Sequence, residues 1–258
     1  MNVDSRNTPT SPSEALGVIE SVPQPELLSS LGRLVRGLAM LFWGLPIALV
    51  VCVQSAKGDW LRPFGIFPAV VSTAFLLYAL SLMSHFQSQE RVWRLALDRA
   101  RLVALINIGL SPFLYFWNRI PSSNYFNHIV LLMGLSGLLF LLLLNPTLLR
   151  LALMLPDETL RVETRLFTGL NRYLLVATIV LVATYFVVNE YFPIALQRSF
   201  DLLLRLNPFV QSTGTVAALL DRGAIWLLLF FVLLPVAMTM ALIWKIKEVI
   251  LSSVFGAD

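Results

Sequence analysis

Six runs of apolar residues dominate this chain and limit its possible folds more than any other feature. An α-helix needs roughly 17 to 25 residues to cross a bilayer, and most of these runs reach that length. In hydrocarbon the backbone N–H and C=O groups must pair within the segment, which favours helices. The sequence therefore predicts an all-α, polytopic membrane protein with six transmembrane helices. The six runs are residues 37–53, 63–83, 102–117, 129–149, 173–192 and 224–244.

The composition agrees with a chain that lies almost entirely in a membrane. Hydrophobic residues make up 57% and charged residues only 13%, whereas a soluble domain carries about a quarter charged residues. Residues 31–258 are predicted to form one transmembrane domain. Residues 1–30, which are rich in Ser, Pro and Thr, are predicted to be a disordered tail.

The positive charges predict the orientation of the helices. With six spans, 13 of the Lys and Arg residues fall on the side of both termini and 6 on the other side. Cytoplasmic segments carry the excess of positive charge, so both termini are expected in the cytoplasm. Because these charges border the apolar runs, they indicate a lipid bilayer as partner and no nucleic acid.

A charged helical face precedes the third run. Arg91, Arg94, Asp98 and Arg101 fall, together with Glu90, within one quadrant of a helix. One interpretation is an amphipathic helix at the membrane surface with its arginines near lipid phosphates. The other is a docking surface for a protein partner on the cytoplasmic side, since a surface for anionic lipid has no need of Asp98. Both interpretations remain open at this stage.

A second amphipathic segment is predicted on the opposite side of the membrane. Gln197, Arg198, Asp201 and Arg205 share one helical face before the sixth run. The sequence thus predicts interfacial helices on both sides of the bilayer.

Three polar residues inside the apolar runs are candidates for intramembrane contacts. Asn107 and Ser111 continue one face of the third helix, and an amide in hydrocarbon needs a partner, so we expect hydrogen bonds to another helix. Glu190 lies near the outer end of the fifth run, where pairing with Arg119 or Arg198 is expected.

The tetrapeptide Gly134-Leu135-Ser136-Gly137 resembles the GxSG motif of rhomboid intramembrane proteases. In that family the serine is paired with a histidine of the sixth helix, but residues 224–244 contain none. The glycines are therefore predicted to serve a close helix contact. Neither a metal site nor a cofactor motif is predicted, and the protein is not expected to be an enzyme.

Two functions remain compatible with these features. The first is a non-catalytic scaffold, assembly or anchoring subunit of a membrane complex. The second is a permease subunit, because the order of parts resembles the membrane subunits of type-2 ABC exporters, which have an amphipathic lead-in, six spans and an outer helical insert. The segment Leu203 to Leu220 is similar to that insert. Two features differ from that family. The connection 157–172 is longer than the corresponding connection in the family, and the segment between the second and third runs lacks the family's Gly-Thr-Leu-Glu-like coupling pattern.

Overall fold

The computed structural model describes residues 24–84, 86, 91–120, 123–154, 158–191 and 214–255. Over these residues the chain is helical and contains no strand, so the prediction of an all-α fold is confirmed. A short 3-10 helix, Arg62–Phe64, precedes the second α-helix. The α-helices are α1 (Gln24–Lys57), α2 (Phe67–Met83), α3 (Arg91–Leu110), α4 (Pro112–Arg119), α5 (Asn124–Leu153), α6 (Glu158–Tyr191) and α7 (Gly214–Phe255).

Five helical segments among the described residues are long and apolar enough to cross a membrane, as a multi-pass membrane protein requires. The remaining predicted span, residues 63–83, corresponds to α2, which is apolar but has only 17 residues. At about 1.5 Å per residue, α2 is about 26 Å long. The five segments are Ser29–Lys57, Arg91–Arg119, Asn124–Leu153, Arg161–Thr184 and Phe230–Ser252.

Several boundaries differ from the sequence-based prediction. Residues 24–30, assigned to the tail, are helical, and they continue without a break into the first span. The charged face of α3 belongs to the same helix that enters the third span, and its placement at the membrane surface stays a prediction. The rest of the predicted tail and the segment around Asp201 lie outside the described residues.

The third predicted span is broken near its middle. Helix α3 ends at Leu110 and α4 begins at Pro112. Proline has no N–H to donate and its ring clashes with the preceding turn, but it fits the first position of a new helix. The break lets α4 contact α1 and α5.

The helices pack in the order of the chain and close into a ring. The packed pairs are α1–α2, α2–α3, α3–α5, α5–α6, α6–α7 and α7–α1, and α5 also contacts α7 across the ring. We call the two ends of this bundle the Arg119 end, where α1 and α4 finish, and the Arg150 end, where α5 finishes.

Helices α1 and α2 approach each other closely because of two glycines. A Cβ atom added at Gly37 would lie 3.0 Å from the carbonyl oxygen of Ala79, and one at Gly44 would lie 2.9 Å from Leu76 Cδ2. Small residues permit such backbone approaches in membranes. Between and around these glycines, α1 buries a stripe at helical spacing that comprises Leu34, Leu38, Leu41, Leu45 and Ala48.

Candidate functional site

A cavity of about 480 Å³ lies inside the ring, mainly between α1 and α5. It occupies the half of the bundle toward the Arg119 end, where these two helices do not pack against each other. Its walls are almost entirely apolar. The lining comprises Leu45, Ala48, Leu49, Cys52, Val53, Ala56, Lys57, Thr73, Leu76, Ala104, Asn107, Leu114, Trp117, Val130, Leu131, Met133, Gly134, Gly137, Leu138, Phe140, Leu141, Val182, Val232 and Val236.

Two glycines of α5 widen this cavity. A Cβ atom added at Gly134 or Gly137 would meet no atom within 4 Å, and both residues line the cavity. The prediction that these glycines serve a close helix contact is therefore wrong. That role belongs to Gly37 and Gly44 in α1, whereas the α5 glycines leave a space unfilled.

Asn107 places an amide on the cavity wall. Its side chain is only 9% exposed, and its Oδ1 accepts no hydrogen bond within the described part of the chain. Ser111, between α3 and α4, is fully buried, and its hydroxyl donates to the carbonyl of Ile108, in the last turn of α3, at 2.8 Å. Among the residues that the structure describes, neither side chain forms the expected hydrogen bond to another helix. Asn107 faces the cavity, and Ser111 bonds to the end of α3.

Helix α4 closes the cavity at the Arg119 end. The Nδ2 of Asn118 donates to the carbonyl oxygens of Gly58, at 3.1 Å, and Ser55, at 3.4 Å. Carbonyls at the end of a helix lack N–H partners in that helix. The amide of Asn118 therefore supplies a hydrogen-bond donor to the carbonyls at the end of α1. Trp117 Nε1 donates to Asn127 Oδ1 at 2.5 Å, which fixes α4 against α5.

A buried polar cluster joins α5, α6 and α7 beyond the cavity, toward the Arg150 end. The Nδ2 of Asn171 donates to Asn145 Oδ1 at 3.1 Å and to Thr239 Oγ1 at 3.0 Å. The Nδ2 of Asn145 donates to the carbonyl of Leu141 at 2.8 Å. We did not identify this cluster from the sequence, although Asn145 inside an apolar run was a signal that could have pointed to it.

The proline in α7 is compensated by a side chain of α6. Because Pro235 has no N–H, the carbonyl of Phe231 loses its partner in the helix. The hydroxyl oxygen of Thr178 lies 3.2 Å from the carbonyl oxygen of Phe231. It also lies 2.8 Å from the carbonyl oxygen of Leu174 in its own helix. This arrangement explains how α7 keeps a proline within a buried contact.

The predicted charged surface lies outside the cavity, at the Arg150 end. Arg91, Arg94 and Asp98 are exposed, and Asp98 Oδ1 lies 3.8 Å from Arg101 Nη1. Arg150 of α5 donates to the carbonyl of Val92 at 2.6 Å and so fixes the start of α3. The side chains of Glu90 and Glu190 lie outside the described residues.

The cavity wall carries few polar groups. Over the residues that the structure describes, no three His, Cys, Asp or Glu side chains are grouped to hold a metal ion. Apolar walls with few polar groups are typical of sites for small apolar molecules. Comparison of the chain with family models, curated proteins and solved structures finds no match.

Proposed function

We propose that this protein is a non-catalytic membrane permease subunit that holds an apolar, lipid-like molecule in the cavity between α1 and α5. The observation that carries the proposal is a cavity of about 480 Å³ with apolar walls. Ligand sites commonly have volumes of about 300–1,000 Å³. The absence of side chains at Gly134 and Gly137 keeps the space available.

The bilayer around the protein limits how the proposed site can select its ligand. Moving an apolar molecule from water into such a site gains about 0.8 kcal/mol per CH₂ group. A molecule that arrives from the bilayer gains little in this way, because lipid tails are as apolar as the cavity wall. Selection therefore depends on shape and on the amide of Asn107.

Photo-crosslinking tests the proposed ligand site in the cavity directly. The full chain in lipid nanodiscs is exposed to palmitate that carries a diazirine, irradiated, and mapped by peptide mass spectrometry. We expect labelling of cavity residues such as Leu49 and Leu138 that unlabelled palmitate competes away. Membrane-facing Leu132 serves as the control, since its labelling should not saturate. Non-saturable labelling at every position would contradict the proposal.

The proposal includes a topology of six spans with both termini in the cytoplasm. Helix α2 has the roughly 17 residues at the low end of the spanning range. Its close packing on α1 and on α3 supports a position within the bundle. The bias of positive charge supports the orientation, in which the Arg150 end is cytoplasmic.

A scaffold is the second candidate function. Its support is the exposure of Arg91, Arg94 and Asp98 on one face of α3. Charges of both signs favour a protein partner with a complementary pattern. Co-purification with wild type and Asp98→Lys tests it, because a docked partner should be lost when the sign is reversed. Unchanged yields of every associated protein would exclude this role.

A further inference from the structure

A groove between α2 and α3 runs along the outside of the bundle, separate from the cavity. It is largely open to the outside and has a volume of about 490 Å³. The residues that line one part of it are apolar, namely Leu77, Leu102 and Leu105, and those toward the Arg150 end are Ser81, Asp98 and Arg101. Because α2 and α3 are consecutive and antiparallel, the polar residues of both helices lie at the same end. The groove thus has an apolar body and a charged end.

The two charges at this end are available to a third group. Asp98 Oδ1 and Arg101 Nη1 lie 3.8 Å apart, and the side chains are 60% and 34% exposed. A charge-assisted hydrogen bond between nitrogen and oxygen is about 2.7–2.9 Å long. The ion pair is therefore longer than a hydrogen bond, and both exposed side chains can also reach a headgroup that approaches from outside the bundle.

We propose that this groove binds a zwitterionic phospholipid whose headgroup carries a primary amine, as in phosphatidylethanolamine. Arg101 donates to the phosphate, and Asp98 accepts from the ammonium group. One acyl chain lies along Leu77, Leu102 and Leu105. The charges fit this lipid better than its alternatives, because Asp98 repels an anionic headgroup and a choline headgroup has no N–H to donate.

The inference accounts for the acid in the charged stretch of α3. Basic residues at a membrane surface attract anionic lipid, and an acid among them weakens that attraction. An amine-bearing headgroup gives Asp98 a partner without weakening the contact between Arg101 and the phosphate. Leu102 and Leu105 are both well exposed beside this pair, so the acyl chain covers apolar surface that faces the bilayer.

Binding of matched lipids to the delipidated full chain in detergent tests the proposal. Dioleoyl phosphatidylethanolamine, phosphatidylglycerol and phosphatidylcholine are compared by native mass spectrometry. Wild type should prefer the ethanolamine lipid by about two- to fivefold, the range expected for an exposed ion pair. Asp98→Asn should abolish this preference and retain lipid, whereas Arg101→Gln should weaken binding of all three lipids.

Arg99→Gln is the matched control, because Arg99 is an exposed arginine of the same helix that does not line the groove. It should leave all three affinities unchanged. Equal binding of the ethanolamine and glycerol lipids by wild type would overturn the proposal. So would an ethanolamine preference that survives Asp98→Asn. Neither outcome bears on the cavity, since none of the substituted residues lines it.

Discussion

Asn171 of α6 donates a hydrogen bond to Asn145 of α5 over 3.1 Å, deep within the helical bundle. Both side chains are almost fully buried, and Thr239 of α7 accepts from the same amide at 3.0 Å. A buried polar group without a partner is costly in hydrocarbon, so the three helices are held in one register. The cavity lies between this contact and the Arg119 end of the bundle.

Asn171→Leu is expected to lower the stability of the bundle by roughly 1–2 kcal/mol, near the upper end for polar contacts between membrane helices. The substitution removes a donor shared by two other helices. Thermal unfolding in detergent measures the effect. Thr184→Val provides the control, because Thr184 is an exposed residue of α6 and should show little change.

Thr178→Val should destabilise the protein because the carbonyl of Phe231 is left without a donor. Pro235→Ala restores an N–H to α7, so the second substitution should reduce the effect of the first. A double-mutant cycle on the melting temperature measures this coupling. Strictly additive effects would show that Thr178 does not compensate for Pro235.

The sequence was informative wherever a long pattern determined the structure. The apolar runs predicted the helices, and five of them reach the length and apolarity of a span in the structure. The helical spacing of Asn107 and Ser111 placed these residues on one face, and both are buried. Such periodic burial depends on local geometry, which a sequence reveals directly.

The candidate site could be predicted less well, because a cavity depends on how distant helices pack. Gly134 and Gly37 look alike in the sequence, yet one lines a cavity and the other allows a close helix contact. Asn107 was expected to bond to a neighbouring helix, but the residue instead lines a space that only the tertiary structure defines.

Gly37→Ala is expected to destabilise the protein by about 1–3 kcal/mol, as overpacking does. The added methyl group would lie 3.0 Å from the backbone oxygen of Ala79, which cannot move away easily. Gly32→Ala in the same helix meets no atom within 4 Å. It should raise stability by up to about 1 kcal/mol through helix propensity. Melting temperatures of the two variants compare these effects.

Cysteine labelling from outside tests the proposed six-span topology in a Cys52→Ser background. Trp60→Cys precedes α2 and should react, whereas Ser84→Cys follows α2 and should react only after permeabilisation. Val162→Cys should behave like Ser84→Cys. Its side chain is 71% exposed, so protection would reflect the membrane and not burial. Outside labelling at both ends of α2 would show that this helix does not cross.

The proposed ligand cavity is tested most directly by filling it. Gly134→Leu combined with Gly137→Leu directs two side chains into open space that lines the cavity. Gly109→Leu is the control, because Gly109 also has open space around it but does not line the cavity. The melting temperature of each variant reports whether the fold is retained.

The decisive measurement is saturable photo-labelling by diazirine palmitate in these variants. The account predicts that labelling of Leu49 and Leu138 disappears in the double variant and persists in Gly109→Leu, while both proteins remain folded. Saturable labelling that persists at wild-type level in a folded double variant would contradict a ligand site between α1 and α5.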